Sequence, residues 1–241
     1  MMSELAGTIT ERVDALLERI DAAATRSGRD ADEVLVLLAT KTREPHEIIA
    51  AIEALRARGR RVAVGENRAQ EIAKHDAPAL AALEASGVPR HFIGRLQTNK
   101  AKDAVAFADV IESVDRDDLI DALERRAELA DVHRDVLVQV NTSGEESKAG
   151  YAPDADVLRP VVDRLAGSER LRCTGLMTIG ANTDDETAVR ASMRRLRELR
   201  DELGADGVVE LSMGMSSDLE VAIEEGATIV RPGSAVFGPR A

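Results

Sequence analysis

The run Val34-Leu35-Val36-Leu37-Leu38-Ala39-Thr40-Lys41, with Pro45 opening an amphipathic helix just beyond it, decides how the chain is read. Such a short apolar run is the pattern of a buried strand. The lysine stands where the strand ends and the next loop turns. In a barrel of alternating strands and helices that mouth is where chemistry is done. Taken alone, Lys41 reads more readily as a solvated lysine at a strand end.

Outward from this pair the same unit repeats. Residues 34–40 are followed by a helical stretch at 45–58, 61–64 by 67–86, and 90–93 by 98–107. Then come 109–113 with 115–130, 135–140 with 153–167, 171–179 with 184–203, and 208–212 with 216–225. An eighth strand is predicted at 228–231, and the segment Ser234 to Gly238 is expected to close the structure. Eight strands alternating with helices predict a single α/β domain over 1–241, a (β/α)8 TIM barrel. Residues 1–28 read as an extra N-terminal helix packing on the barrel. Leu5, Ile9, Val13, Leu16, Leu17 and Ile20 recur there at three- and four-residue spacing, and Gly28 ends it. No strand precedes it, so it is expected to take the place of the missing eighth helix. The competing fold is an open doubly wound sheet, but no Gly-x-Gly-x-x-Gly fingerprint is present.

Composition narrows the function classes. The 241 residues are 44% hydrophobic but only 2% aromatic, so the core must be aliphatic. A formal charge of -12 argues against nonspecific nucleic-acid binding and against an anionic membrane surface as partner. Lysine occurs only at Lys41, Lys74, Lys100, Lys102 and Lys148, so it is no default surface filler. Cys173 is alone, in a strand-like run, and reads as a buried inert thiol; no disulfide framework or cysteine-based metal site is expected. The charged N-terminus lacks a signal-peptide apolar core, and no apolar run approaches the ~20 residues of a membrane span. A soluble, cytoplasmic protein is expected.

Chemistry should collect at the strand mouths. They carry Lys41, Glu66-Asn67, Gly94 with Arg95 and Gln97, the loop from Asn141 to Lys148, Met177-Thr178, the segment Ser212 to Asp218, and Arg231-Pro232-Gly233-Ser234. The last two loops read as a phosphate site. Ser216 and Ser217 stand where a helix is predicted to begin, Gly233 allows close backbone approach, and Ser234 adds a hydroxyl and an amide. Each residue alone also reads as an ordinary cap or turn. Strands one and eight are neighbours in a closed barrel, which sets Lys41 beside Arg231 and the phosphate loops. A lysine, an arginine and a phosphate site in one mouth point to an aldehyde cofactor held as a Schiff base.

Six segments in order then carry a specific resemblance: ATKTREPHEI (39–48), GENRAQE (65–71), HFIGRLQTNKAK (91–102), QVNTSGEESKAG (139–150), GLMTIG (175–180) and LSMGMSSDLEVAIEEGATIVRPGSAVFG (211–238). Together they resemble the YggS/PROSC family of pyridoxal-phosphate-binding proteins. The resemblance implies an alanine racemase N-terminal-type barrel (PLP fold type III) that binds pyridoxal 5'-phosphate and serves vitamin B6 homeostasis without established catalysis. It implies Lys41 as the Schiff-base lysine, Ser216 next to the cofactor phosphate, and Gly233 and Ser234 as the pair whose amides hold that phosphate. It further implies Arg231 facing the pyridine nitrogen and Asn67 near the ring. Ser217 stands where the family commonly has an acidic residue, and Arg95 where it commonly has proline; neither touches these positions.

Arg231 has a mechanistic consequence. An arginine cannot accept a proton from the ring nitrogen. The ring then stays unprotonated, which weakens carbanion chemistry. Alanine-racemase-like enzymes take a second base from a tyrosine on a partner subunit's extra domain; here the only tyrosine is Tyr151, in a loop after the fifth strand. The expectation is therefore no enzyme, but a monomeric protein that buffers the cofactor or delivers it to PLP-dependent apo-enzymes. The competing reading is an amino acid racemase or lyase of low activity using Lys41 as single base. His91 reads as a core or strand-end histidine or as a base. Glu66 either orients Asn67 or pairs with an arginine. Lys148 is a solvated loop lysine, or one that gates the mouth or takes the cofactor transiently, and the arginines from 190 to 200 are a solvated helix face.

Overall fold

The computed structural model describes residues 2–145 and 147–239, with side chains from residue 6 onward. Glu146 of the loop after the fifth strand and the side chain of Leu5 fall outside that description. The eight strands are β1 Leu35–Ala39, β2 Val62–Glu66, β3 Arg90–Phe92, β4 Val110–Val114, β5 Arg134–Gln139, β6 Leu171–Met177, β7 Glu210–Ser212 and β8 Ile229–Val230. All pair in parallel, in chain order, and β8 pairs back to β1 through Leu35–Ile229 and Val36–Val230, closing the barrel.

Strand β1 shows how the sequence builds the two layers of core. Val34, Val36 and Leu38 pack between sheet and helices, whereas Leu35 and Leu37 face the interior with Ala63, Leu137, Met177 and Ile229. Successive residues of a strand point to opposite faces. Ala39 and Lys41 continue the inward parity of Leu35 and Leu37, which carries Lys41 over the open end of the barrel.

The helices are α1 Met2–Arg26, α2 Pro45–Arg56, α3 Pro78–Ala85, α4 Ala101–Phe107, α5 Asp117–Ala130, α6 Ala155–Ala166, α7 Glu186–Leu203, α8 Leu219–Glu224 and α9 Ser234–Phe237. Helix α1 packs against α2, α8 and α9, in the gap of the outer ring between the helix after β7 and the helix after β1. Ile9, Val13, Leu16 and Ile20 form its buried stripe, as the spacing predicts.

Three local expectations differ from the structure. The stretch 67–86 is not one helix: Ala69–Asp76 is a 3-10 segment and α3 starts anew at Pro78. The proline holds Ala77 in extended backbone (φ −60°, ψ 124°), which interrupts the helix. Residues 234–237, expected to close the structure, form one helical turn, and closure comes from the pairing of β8 with β1. The helix expected at 216–225 begins at Leu219 with Asp218 as its N-cap, so Ser216 and Ser217 precede it. The arginine-rich face of α7 is also more than a solvated surface. Arg190, Arg194 and Arg197 converge on Glu225, whose side chain is only 5% exposed.

Candidate functional site

Four consecutive staves of the barrel, β7, β8, β1 and β2, deliver the sequence-predicted residues to one place. Lys41, Asn67, Ser216, Arg231, Gly233 and Ser234 all line a single cavity of about 470 Å³ at the C-terminal ends of the strands. Ala39, Ile93, Met177, Ile179 and Met215 supply its apolar wall. An apolar cavity of this size with a few convergent polar groups is the usual form of a small-ligand site.

The turn bearing Lys41 is gripped from beside it. Thr40 is fully buried, and its hydroxyl donates to Glu66 Oε1 (2.5 Å), with Gly65 O 3.1 Å away. Lys74 Nζ donates to Thr40 O at 2.7 Å and pairs with Glu66 Oε1 at 2.8 Å. On the other side of Lys41, the Thr42 amide donates to Glu71 Oε2 at 2.6 Å. Thr42 sits at φ 63°, a left-handed conformation that a β-branched residue adopts only when its surroundings impose it. Both Lys74 and Glu71 come from the 3-10 segment, so the break before Pro78 shapes the site.

Glu66 faces away from the cavity. Inward parity in β2 belongs to Ala63 and Gly65, and past the strand to Asn67; Glu66 is fully buried on the outer face. There it meets Lys74 and His75 Nε2 (2.8 Å), while His75 Nδ1 is 2.5 Å from Glu84 Oε1. Burial pushes His75 down, but its two carboxylate partners outweigh this and raise it above its ordinary value. Among the described residues Glu66 pairs with Thr40, Lys74 and His75 rather than with an arginine, and it does not line the ligand cavity with Asn67.

Asn67 Oδ1 is buried with no hydrogen-bond partner among the described residues. A buried acceptor left unpaired is costly, and in a cavity wall it marks a place for a ligand group. The backbone of Asn67 is pinned by Gly94. A Cβ built on Gly94 would lie 2.0 Å from Asn67 O, so only glycine fits there.

The β7 and β8 loops are tied together by Ser216. Its Oγ accepts from the Gly233 amide (3.1 Å) and the Ala235 amide (3.0 Å). Ser216 therefore bridges the two loops rather than capping α8. Asp218 Oδ1 accepts from the Met215 amide at 2.5 Å, and Arg19 of α1 donates to Ser216 O at 2.9 Å. The helix that completes the outer ring thus also holds the serine loop.

Arg231 lies on the cavity floor, 6% exposed. It donates to Ser212 Oγ at 2.7 Å and to Thr178 O at 2.6 Å. Ser212 Oγ donates to Glu112 Oε2 (2.6 Å), and Glu112 Oε1 is 2.7 Å from His91 Nδ1. Burial pushes the Glu112 carboxyl up, but His91, the Arg231 charge and the Ser212 hydroxyl together bring it below the ordinary carboxylate range. Burial pulls Arg231 down, yet an arginine remains a cation. Sequence reasoning missed Glu112, although a carboxylate at an inward position of a barrel strand is a signal in itself.

The other candidates lie elsewhere. His91 is 3% exposed beneath the floor, not in the cavity wall. Lys148 Nζ bonds Glu145 Oε1 (2.6 Å) and Gly180 O (2.7 Å) and lines a neighbouring groove that shares Ile179, Met215 and Ser217 with the cavity. Tyr151 donates to Asp117 Oδ1 at 2.8 Å, and burial first, then Asp117, pushes its hydroxyl up, so it is a poor base. Burial pushes the Cys173 thiol up to about 11, in keeping with an inert core residue. Among the described residues no cluster of His, Cys, Asp and Glu could hold a metal, and no helix is long and apolar enough to cross a membrane.

Comparison with known proteins agrees with this geometry. Residues 12–241 match the family described as alanine racemase, N-terminal domain. A pyridoxal phosphate homeostasis protein of Aquifex aeolicus is 42% identical over 233 residues, 95% of this chain and 97% of that protein. A crystal structure of an unknown protein from Bifidobacterium adolescentis superposes with a TM-score of 0.88 at 41% identity, covering 97% of this chain and 96% of the other. The structure of PipY from Synechococcus elongatus with PLP bound superposes with a TM-score of 0.75 at 32% identity, over 95% of this chain and all of that one (100%). With near-complete coverage on both sides and a closed barrel of eight parallel strands, the chain belongs to the family of pyridoxal phosphate homeostasis proteins, built on the alanine racemase N-terminal domain.

Proposed function

We propose that the chain binds pyridoxal 5'-phosphate in this cavity and serves to hold and hand on the cofactor rather than to turn over a substrate. When bound, the cofactor supplies an electrophilic aldehyde and a phosphate. Lys41 is the amine that takes the aldehyde as a Schiff base. Ser216, Gly233 and Ser234 receive the phosphate, with the Ser216 hydroxyl and the phosphate competing for the Gly233 amide. Asn67 offers its unpaired oxygen to the ring substituents, and Arg231 faces the ring nitrogen. The observation that carries this reading is the convergence of these six residues, from four loops, on one cavity with an orphaned buried acceptor in its wall.

The non-catalytic part of the reading rests on proton handling. Arg231 cannot take a proton from the ring nitrogen, so the ring remains a weak electron sink. Tyr151 is engaged by Asp117 and does not line the cavity. Relatives named homeostasis proteins support the same role. Acceptors of the cofactor would be PLP-dependent apo-enzymes, and the protein would act as a monomer in the cytoplasm. The test is α-proton exchange of L- and D-amino acids by the loaded protein. Exchange far below roughly 1 per second is expected; exchange at or above that rate would establish the racemase or lyase reading instead.

A further inference from the structure

The barrel interior is largely apolar, but one hydrogen-bonded polar line runs through it. Leu35, Leu37, Ala63, Leu137, Met177 and Ile229 fill it, yet three inward positions of β3, β4 and β7 carry His91, Glu112 and Ser212, at 3%, 0% and 0% exposure. Hydrogen bonds of 2.7, 2.6 and 2.7 Å join His91 to Glu112, Glu112 to Ser212 and Ser212 to Arg231. The line begins at the opposite end of the barrel, where His91 lines a second cavity of about 360 Å³, and ends in the floor of the first. Apolar side chains would hold a barrel together at lower cost than a buried carboxylate and guanidinium. Burying the pair secures something else.

We propose that Glu112, acting through Ser212, is the positioning residue that fixes Arg231 beneath the cofactor and sets the net charge there. A serine hydroxyl has one proton. Because Ser212 gives it to the Glu112 carboxylate, its lone pairs must face Arg231, which fixes the direction of the chain. Arg231 Nη2 donates at the same time to Thr178 O, so the guanidinium plane is fixed at two points. Glu112 also balances the arginine charge in a site with no water-like screening. His91 holds the other carboxylate oxygen. The charged groups about His91 are Glu112 above it and Asp135, Arg172 and Glu210 around the lower cavity. The inference rests on the reading that Arg231 faces the cofactor ring.

The test compares Ser212→Ala, Ser212→Thr, Glu112→Gln and the Ser212→Ala/Glu112→Gln double variant with the parent chain, titrated with pyridoxal 5'-phosphate and followed by the absorbance of the bound cofactor. Glu112→Gln and Ser212→Ala should each displace the band and its pH profile and weaken binding about tenfold, the scale of one charge-assisted hydrogen bond. The double variant should be no worse than the weaker single one, because both cut the same line. Ser212→Thr, which keeps the hydroxyl, should retain the parent spectrum. Additive losses, or parent-like spectra in Ser212→Ala, would overturn the proposal. Should Glu112→Gln fail to fold, the Ser212 pair carries the test alone. If the parent chain bound no cofactor, the proposed function would fail while the positioning claim stayed testable. The Arg231 guanidinium 15N shifts of the unloaded protein should move in Ser212→Ala and not in Ser212→Thr; unmoved shifts would refute it.

Discussion

Replacing Lys74 by methionine tests the grip on the Lys41 turn. The Lys74 side chain is 15% exposed, and its ammonium contacts Thr40 O at 2.7 Å, Glu66 Oε1 at 2.8 Å and Glu71 Oε2 at 3.3 Å. Methionine keeps the packing of the stem but removes the charge beside a fully buried carboxylate. Breaking a buried pair by removing one partner costs about 3–5 kcal/mol. Glu66 retains His75 Nε2 and the Thr40 hydroxyl, which places the loss at the lower end. The expected loss is therefore about 3 kcal/mol, or ~6–12 °C in Tm for a domain of this size. Urea and thermal unfolding measure it. Lys74→Arg should lose less, and Glu66→Gln on the Lys74→Met background should recover part of the loss, since the unpaired charge is then gone. A Lys74→Met chain within about 0.5 kcal/mol of the parent, the ordinary scatter of surface changes, would refute the argument that Lys74 holds Thr40 and Glu66.

Two further predictions follow from neighbouring residues. His75 is raised in the folded state, so its contribution to stability is full below the unfolded value of about 6.5 and is lost as pH rises through the higher folded value. His75→Gln should flatten that alkaline decline in a pH series of unfolding midpoints; an unchanged slope would count against the histidine bridge between Glu66 and Glu84. Gly94→Ala places a methyl 2.0 Å from Asn67 O and must displace that backbone. Cofactor binding, read by absorbance titration, should fall more than the unfolding midpoint does, and a variant with parent affinity would remove Asn67 from the site.

Much of the fold was legible because strand parity and helix period are local. The run at 34–41 gave strand β1 and the place of Lys41 at its mouth, and the spacing of Ile9, Val13 and Leu16 gave the outer helix. What was lost depends on single residues or on partners distant in the chain. Pro78 divides a stretch whose apolar spacing still reads as helical. Ser216 looks like a cap in sequence, and only the approach of the β8 loop makes it a bridge. Glu66 was legible in principle: it alternates with Gly65 and Asn67, so its carboxylate had to face the helices. The partners Lys74 and His75 then come from a segment read as plain helix. Glu112 and Ser212 lie 100 residues apart and meet only because β4 and β7 face each other across the barrel.

The most direct test of the account is the site of covalent attachment. The purified chain, loaded with pyridoxal 5'-phosphate, should absorb at about 420 nm, the position expected for a Schiff base of this cofactor. Borohydride reduction followed by peptide mapping should place the pyridoxyl label on Lys41, and Lys41→Ala should abolish both band and label. A chain that stays colourless with added cofactor, or a label carried mainly by Lys74, Lys100, Lys102 or Lys148, would contradict it.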